Sequence, residues 1–341
     1  MFNSIFIIIG TIIGAGFASG KEIFTFFNIY GLYGFIGLII SELIIGLVIY
    51  RTFKIILENN ISSYSQFVNY IFTKSSFLSN VMCNVINIFL LISFIVMCAG
   101  FSGYFAQEFN LSPFYGSIVI SFLCFFVFLK NIELIGKINK VIIPFLLFII
   151  VLLGFKNLDS FINVEFHFST YKYNWFISSI LYASYNLIVL FPIIISLKKY
   201  VNSIRVAKII SVFVVLFLSI MSIILFFVLN KYFVQIKYVD LPTVYIVRNL
   251  GTVYKYCCGL AILGAIFTTA VSSGYAFLHN LNIKNTKVYL CINLCMCIAS
   301  IFLSRLGFAN LLNLLYPILG VIGFAQIAFL FCSKDSVSCI S

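Results

Sequence analysis

Charged residues are scarce in this 341-residue chain: Asp, Glu, Lys and Arg together make up 9% of it, against about 25% in a typical soluble domain. Hydrophobic residues make up 63%, and the mean hydropathy is +1.16. A water-soluble domain could not bury so much apolar surface. The composition therefore excludes a soluble enzyme, a disordered chain and a small disulfide-held secreted module. It indicates an all-α membrane protein.

Groups for acid–base and metal chemistry are also scarce. The chain has nine Asp and Glu, two His, and ten cysteines that form no CxxC pair. Most of these cysteines lie in apolar runs, where cysteine commonly acts as a small apolar side chain. No set of nucleophile, base and acid can be recognised. We therefore expect neither an enzyme nor a cofactor.

The net charge of +12 would suggest a nucleic-acid partner in a soluble protein. Here the basic residues lie in short loops between apolar runs, and they are more frequent on the side of the two termini. This is the pattern of cytoplasmic loops. We expect a multi-pass protein of the cytoplasmic membrane with both termini in the cytoplasm, a lipid bilayer around it and no nucleic-acid partner. The oligomeric state is not indicated.

Continuous apolar runs predict about ten membrane-spanning helices of roughly 20 residues each. Spans 1 to 10 cover residues 3–27, 31–53, 79–105, 113–130, 138–155, 174–197, 205–230, 255–280, 286–304 and 307–332. A cleaved signal peptide is the alternative for span 1, but no Lys or Arg precedes this run. The alternating pattern of an outer-membrane barrel is missing.

The spans divide into two halves, residues 3–155 and 174–332, of one transmembrane domain covering 1–341. In each half the longest loop follows the second span. Five spans per half give the halves opposite orientations in the membrane. This is the five-plus-five inverted repeat of many secondary transporters.

Span 1 contains four closely spaced glycines: Gly10, Gly14, Gly16 and Gly20. Each weakens a helix by about 1 kcal/mol relative to alanine. One interpretation is a face for close helix packing. The other is an unwound segment from Gly14 to Ser19, whose freed backbone groups bind a ligand. The glycines alone support both equally, and the symmetry with span 6 favours the break.

Span 6 opens the second half and carries a polar cluster, Tyr182, Ser184, Tyr185 and Asn186, followed by Pro192. Ser and Asn side chains compete for backbone hydrogen bonds, so the cluster predicts a second broken helix. Hydrogen bonding between helices is the alternative.

Span 8 carries the hydroxyl pairs Thr268/Ser272 and Thr269/Ser273, each pair one turn apart. Such hydroxyls often bond the preceding turn of their own helix. Together with carbonyl oxygens they also form a hard ligand set for a small cation.

Three charged residues within spans are candidates for proton coupling: Lys21 and Glu22, just after the glycines of span 1, and Glu42 at the centre of span 2. A charge at this depth costs several kcal/mol unless it is paired. Glu42 could pair with Lys21 or be protonated. We favour structural pairing of Glu42 over a coupling role.

The segment Gly10–Glu22, GTIIGAGFASGKE, resembles the first helix of the YkvI-type membrane proteins, a branch of the amino acid–polyamine–organocation (APC) superfamily. Its first part resembles several amino acid permeases. The remaining resemblance is architectural and covers nearly the whole chain. It implies a LeuT-type fold with substrate held at breaks in spans 1 and 6.

The resemblance also implies residue roles. The amides of Ala15 and Gly16 would hold a substrate carboxylate, and carbonyls near Ile13 and at Tyr182–Ser184 would accept its ammonium group. The implied substrate-binding residues are Gly14, Ala15, Gly16, Phe17, Tyr182, Ser184, Tyr185 and Asn186. The implied sodium ligands are Gly10, Ile13, Ala265, Thr268 and Thr269. Some proton-coupled relatives have a Lys within span 5. Here Lys140 lies in its first turn, which favours sodium.

We therefore expect a secondary active transporter of an amino acid or similar small zwitterion, coupled to sodium or protons and working by alternating access. A nutrient or germinant receptor on the same fold, which binds without transport, is the alternative. Neither the substrate nor the direction of transport is indicated.

Overall fold

The computed structural model describes residues 2–72, 76–129, 133–162, 164–166, 174–281, 283 and 285–332, and every regular element in this part is helical. The helices of the first half are α1 (Phe2–Ile12), α2 (Ala15–Ala18), α3 (Lys21–Phe26), α4 (Leu32–Glu58), α5 (Tyr64–Ile71), α6 (Ser76–Phe109), α7 (Pro113–Phe128), α8 (Glu133–Lys156) and α9 (Asp159–Ile162).

Among the described residues, the second half has seven helices and three of the four short 3-10 turns. Its helices are α10 (Trp175–Ser196), α11 (Ile204–Lys231), α12 (Phe233–Ile236), α13 (Pro242–Val247), α14 (Thr252–Asn280), α15 (Thr286–Leu303) and α16 (Phe308–Cys332). The 3-10 turns are Asn28–Tyr30, Leu197–Tyr200, Arg248–Leu250 and Ser304–Leu306.

Seven helices in the described part are long and apolar enough to cross a bilayer. They lie in α4, α6, α10, α11, α14, α15 and α16. Helix α7 and the Pro144–Lys156 part of α8 are apolar but shorter. The count of ten crossings and the inverted repeat stay predictions. The cytoplasmic placement of the termini also stays a prediction. Residues 1 and 333–341 lie outside the described part.

Large apolar side chains cover the outside of the helix bundle. Leu47, Phe122 and Leu314 are 61%, 62% and 63% exposed, and they lie on three different helices. An apolar surface of this extent is stable only against lipid or another protein. The exposed surface and the long apolar helices together define a multi-pass membrane protein that contacts the bilayer.

The helices of span 1 lie mainly among helices of the second half. Helix α10 packs between α4 and α16, and α4 also packs on α11. Helix α1 contacts α10 and α11, α2 contacts α14, and α3 contacts α10, α11 and α16. The chain around the span 1 glycines is therefore enclosed by protein rather than lipid.

Span 1 is interrupted twice, at the positions that its glycines indicate. Helix α1 ends at Ile12, and Gly14 is extended, with φ −84° and ψ −170°. The Gly14 amide donates to the Ile12 carbonyl at 2.9 Å, two residues back, instead of to the Gly10 carbonyl of a continuous helix. The second interruption follows Ala18, where Gly20 has a left-handed φ of 75°.

The prediction that span 6 is broken is wrong. Helix α10 runs without interruption from Trp175 to Ser196. Two of its polar side chains bond their own helix: Ser179 Oγ donates to the Trp175 carbonyl at 2.7 Å, and Asn186 Nδ2 donates to the Tyr182 carbonyl at 3.0 Å. They therefore add to the helical hydrogen bonds instead of competing with them, and the helix contains no glycine.

Candidate functional site

At the first interruption of span 1, the short helix α2 begins with a buried N-terminus. Gly14 is the N-cap of α2 and has no side chain to cap it, so the first amides of α2 have no acceptor within the helix. Ala15 and Phe17 are 0% and 1% exposed, and Gly16 is buried too. Free backbone donors are thus enclosed among helices, as the predicted substrate site requires.

Gly14 faces the hydroxyl groups of α14. A Cβ added at Gly14 would lie 3.9 Å from Thr269 Oγ1, in ordinary contact. Thr268 and Thr269 both donate to the Ala265 carbonyl, at 3.2 and 2.8 Å. The three predicted cation ligands of span 8 therefore lie together on α14 opposite the interruption. The other two, Gly10 and Ile13, lie in the last turn of α1 and just after it.

The carboxyl group of Glu22 joins α2, α3 and α10. Glu22 is 4% exposed, and Tyr185 Oη donates to its Oε2 at 2.5 Å. The carboxyl lies against Gly16, where any added Cβ would overlap it. The structure therefore brings together three predicted site residues: Gly16, Glu22 and Tyr185.

Aromatic rings surround this carboxyl group. Ring centroids are 5.6 Å apart for both Phe26–Tyr182 and Phe26–Tyr185, 5.5 Å for Tyr182–Tyr185 and 4.6 Å for Tyr185–Tyr316. Offset and edge-to-face contacts at these separations are favourable. The cluster excludes water from Glu22 and lowers the local dielectric, which strengthens its hydrogen bond to Tyr185.

The second interruption is closed by the protein itself. The Thr243 amide donates to the Ser19 carbonyl at 2.9 Å, and Thr243 Oγ1 donates to the Ala18 carbonyl at 3.0 Å. Thr243 lies in α13, in the loop after α11. The carbonyls that end α2 are therefore occupied, so a ligand would find free backbone groups at the first interruption and not the second.

Lys21 does not pair with Glu42, contrary to one of the two interpretations of the sequence. Lys21 Nζ donates to the Val239 carbonyl at 2.7 Å. The Glu42 carboxyl accepts from Ser219 Oγ at 2.5 Å and from Ser222 Oγ. The turn at Gly20 directs Lys21 towards the loop before α13, whereas Glu42 faces α11. Glu42 thus joins two helices away from the interruption.

The carbonyls of Tyr182–Ser184 are not freed for a substrate ammonium group, because α10 is continuous. Gly320 and Gly323 of α16 pack directly on the backbone of α10 at Leu181 and at the Ser184 carbonyl. A side chain at either glycine would overlap that backbone. Ser184 Oγ is buried without a hydrogen-bond partner, and Tyr185 is the residue of the cluster that reaches span 1.

Sequence reasoning missed four contributing residues: Ser219, Ser222, Thr243 and Tyr316. Two of them carried a signal, since Ser219 and Ser222 lie three residues apart in a highly apolar span and so share one helix face. A buried carboxylate on a neighbouring span requires such donors. Thr243 and Tyr316 carried no comparable signal.

The fold and this site define a multi-pass α-helical membrane protein with a buried polar site around an interrupted helix. The chain matches no protein-family model. It is homologous to two proteins of Bacillus subtilis (strain 168). It is 24% identical to "Uncharacterized membrane protein YkvI" over 347 residues, which cover 96% of this chain and 94% of YkvI. It is 26% identical to "Uncharacterized protein YyaD" over 325 residues, 93% of this chain and 91% of YyaD.

Proposed function

We propose that this protein is a secondary active transporter that carries an amino acid or similar small zwitterion across the cytoplasmic membrane by alternating access. The observation that carries the proposal is the interruption of span 1 at Gly14, inside a bundle of apolar helices. Unpaired backbone at membrane depth is tolerated only where protein, water or a ligand satisfies it. Interrupted helices of this kind are where secondary transporters bind their cargo.

The chemistry at the interruption suits a small zwitterion. The amides of Ala15 and Gly16 begin a helix, and helix N-termini attract anionic groups such as a carboxylate. The end of α1 and the carboxyl of Glu22 offer oxygen atoms to an ammonium group. The few acid–base residues near the interruption support transport rather than catalysis, and we propose that the protein is not an enzyme.

The proposal includes a cation as the driving ion, and sodium is one candidate. Thr268 and Thr269 donate their hydroxyl protons to the Ala265 carbonyl, so the lone pairs of both oxygens can still coordinate a cation. Carbonyl oxygens at Gly10 and Ile13 would complete an all-oxygen set, which suits a hard ion. The position of Thr269 supports this arrangement, because its Oγ1 lies 3.9 Å from where a Cβ at Gly14 would be, which places α14 next to the end of α1.

The proposal also places the chain in the APC superfamily with a five-plus-five inverted repeat. The glycine-rich segment of span 1 and its interruption support this assignment. The continuous α10 is a departure, because the resemblance implies breaks in both spans. We therefore propose that substrate binding depends on span 1, with α10 contributing Tyr182 and Tyr185 as side chains only.

Uptake in proteoliposomes tests the proposal. Purified protein would be given a radiolabelled mixture of the protein amino acids under a sodium gradient or a proton gradient. We expect saturable uptake against a concentration gradient. Gly16→Leu should abolish it, because the added side chain overlaps the Glu22 carboxyl and must displace the chain beside the interruption.

Ala299→Leu is the matched control, since it adds a side chain of the same size at an exposed position on α15. Its uptake should equal that of the wild type, and both variants should elute as monodisperse protein. Normal uptake by Gly16→Leu would contradict the proposed site. Saturable binding without accumulation by the wild type would identify a receptor instead.

A further inference from the structure

We infer that the groove between α8 and α14 binds one acyl chain of an anionic phospholipid, and that Lys156 at its end binds the phosphate of the headgroup. The inference goes beyond the proposed function and does not depend on it. It requires only a multi-pass membrane protein in contact with the bilayer, which the long apolar helices and the exposed apolar surface define.

The groove is a cavity of about 250 Å³ on the outside of the helix bundle. Five residues of α8 form one wall, and five residues from Val247 to Cys257, in α13, the following 3-10 turn and α14, form the other. Every lining side chain is aliphatic, aromatic or a cysteine. Phe148 and Val253, one on each wall, are 58% and 74% exposed, so the groove opens towards the lipid. Its lining therefore suits a hydrocarbon chain rather than a polar ligand.

The length of the groove matches one leaflet of a bilayer. Its wall on α8 runs from Phe145 to Leu153, and Lys156 lies about one turn beyond. The distance along the helix from Phe145 to Lys156 is about 16 Å, and half of a hydrocarbon core about 30 Å thick is about 15 Å. Helix α8 ends where α14 begins, since Lys156 lies over the ring of Tyr254 in the first turn of α14. The groove therefore starts at the membrane interface and reaches towards the centre of the bilayer.

Lys156 places a cation at the interfacial end of the groove. Its Nζ lies 5.6 Å from the centroid of the Tyr254 ring, and Tyr254 lines the groove. Lysine side chains at such positions keep the ammonium group in the headgroup region, and tyrosine is enriched at the same level. An ammonium group there attracts the phosphate of an anionic lipid.

The charge of Lys156 is available to a ligand. The two basic residues beside the other wall have a carboxylate partner, since Arg248 and Lys255 both pair with Glu108, at 2.7 and 3.1 Å. Lys156 is exposed and has no carboxylate partner among the described residues. The groove thus calls for a hydrocarbon chain and an anionic group on one molecule, about one leaflet deep. Those are the parts of an anionic phospholipid.

Lipid retention by the purified full chain tests the inference. The protein is stripped of lipid in a neutral detergent and given equal amounts of phosphatidylglycerol and phosphatidylcholine with the same acyl chains. Native mass spectrometry then counts the lipids that each chain retains. Phosphatidylglycerol should be retained about fivefold over phosphatidylcholine, the effect of one lysine at a membrane surface. Lys156→Gln should reduce this ratio to about one.

Lys237→Gln is the matched control for the charge. Lys237 Nζ lies 5.4 Å from the ring centroid of Tyr238, the same pairing of groups as Lys156 and Tyr254, but neither residue lines the groove. This variant should keep the lipid ratio of the wild type. A ratio that persists in Lys156→Gln, or that Lys237→Gln lowers equally, would overturn the inference.

Cys257→Trp tests the groove separately from the charge. The large side chain should fill the cavity, so retention of both lipids should fall. Cys291→Trp, at an exposed cysteine of α15 outside the groove, should retain lipid as the wild type does. Monodisperse elution in detergent checks that both variants are folded, and the lysine variants decide the question if Cys257→Trp is not. Equal retention by the two folded tryptophan variants would contradict the inference.

A second copy of the chain is the other candidate occupant of the groove. If the wild type is a dimer in detergent without lipid, and Cys257→Trp makes it monomeric, the groove is a subunit interface and the inference is wrong. Failure of the inference leaves the proposed function standing, because none of the residues that line the groove belongs to span 1 or to α10. Absence of uptake in proteoliposomes would in turn leave the lipid site standing.

Discussion

Spans 1 and 6 each begin one of the two predicted halves of the chain, yet of the two only span 1 is interrupted. Span 1 has glycines where the helix stops, and span 6 has polar side chains where a break is expected. Glycine lowers the cost of leaving the helix. Ser179 and Asn186 of span 6 donate hydrogen bonds to carbonyls of their own helix without interrupting it. In this protein, missing side chains interrupt a span and polar side chains do not.

The strongest test of this comparison introduces one proline into each span and compares the losses of stability. Ser184→Pro would remove a helical hydrogen bond from the middle of α10 and should lower the free energy of unfolding by about 3 kcal/mol or more. Gly14→Pro should cost only about 1 kcal/mol, since φ is −84° there and only the bond to the Ile12 carbonyl is lost. Thermal unfolding in detergent compares the two. Equal losses would show that span 1 is not a true interruption.

A smaller effect is expected at the second interruption. Gly20→Ala forces a side chain into a left-handed conformation next to Leu229 and Thr243, so it should cost about 2 kcal/mol. Gly14→Ala is the matched control, because its φ is negative and its Cβ meets only Thr269, at 3.9 Å. The same unfolding measurement applies. A Gly20→Ala variant as stable as Gly14→Ala would mean that the turn at Gly20 can relax.

The smallest effect concerns the contact between the two spans. Tyr185→Phe removes the hydroxyl that donates to Glu22 and should cost about 1 to 2 kcal/mol, because the buried carboxyl loses its donor. Tyr316→Phe changes a ring whose centroid lies 4.6 Å from that of Tyr185, and it should cost less. The difference in unfolding midpoint between the two variants measures the hydrogen bond. It would vanish if Glu22 were held by packing alone.

The positions of the helices could be predicted because hydrophobic runs of this length have few alternatives. Spans 2 to 10 each coincide with one helix to within a few residues at most ends, and the glycines of span 1 indicated its interruption. A long apolar helix and an interruption at glycine both depend on residues that are neighbours in sequence, so both can be predicted from the sequence.

Contacts between distant parts of the chain could not be predicted, because they depend on the direction in which a turn points a side chain. Pairing of Glu42 with Lys21 was one of two interpretations of the sequence, because each is a charged residue in an apolar span. The turn at Gly20 sends Lys21 to Val239, and no pattern in the sequence shows the direction of that turn. The same holds for Thr243, which lies more than two hundred residues from the Ser19 carbonyl that it bonds. The contact of Glu22 with Tyr185 joins two predicted residues whose pairing required the fold.

The four-residue helix α2 is joined to α1 by Ile13–Gly14 and to α3 by Ser19–Gly20. Both joints contain glycine, the residue with the widest range of backbone angles. Rotation at these few dihedrals can re-aim the amides of α2 while α1 and α3 keep their packing. In the proposed transporter, access to the substrate would then change sides through a segment of about one helical turn, while the long helices keep their positions.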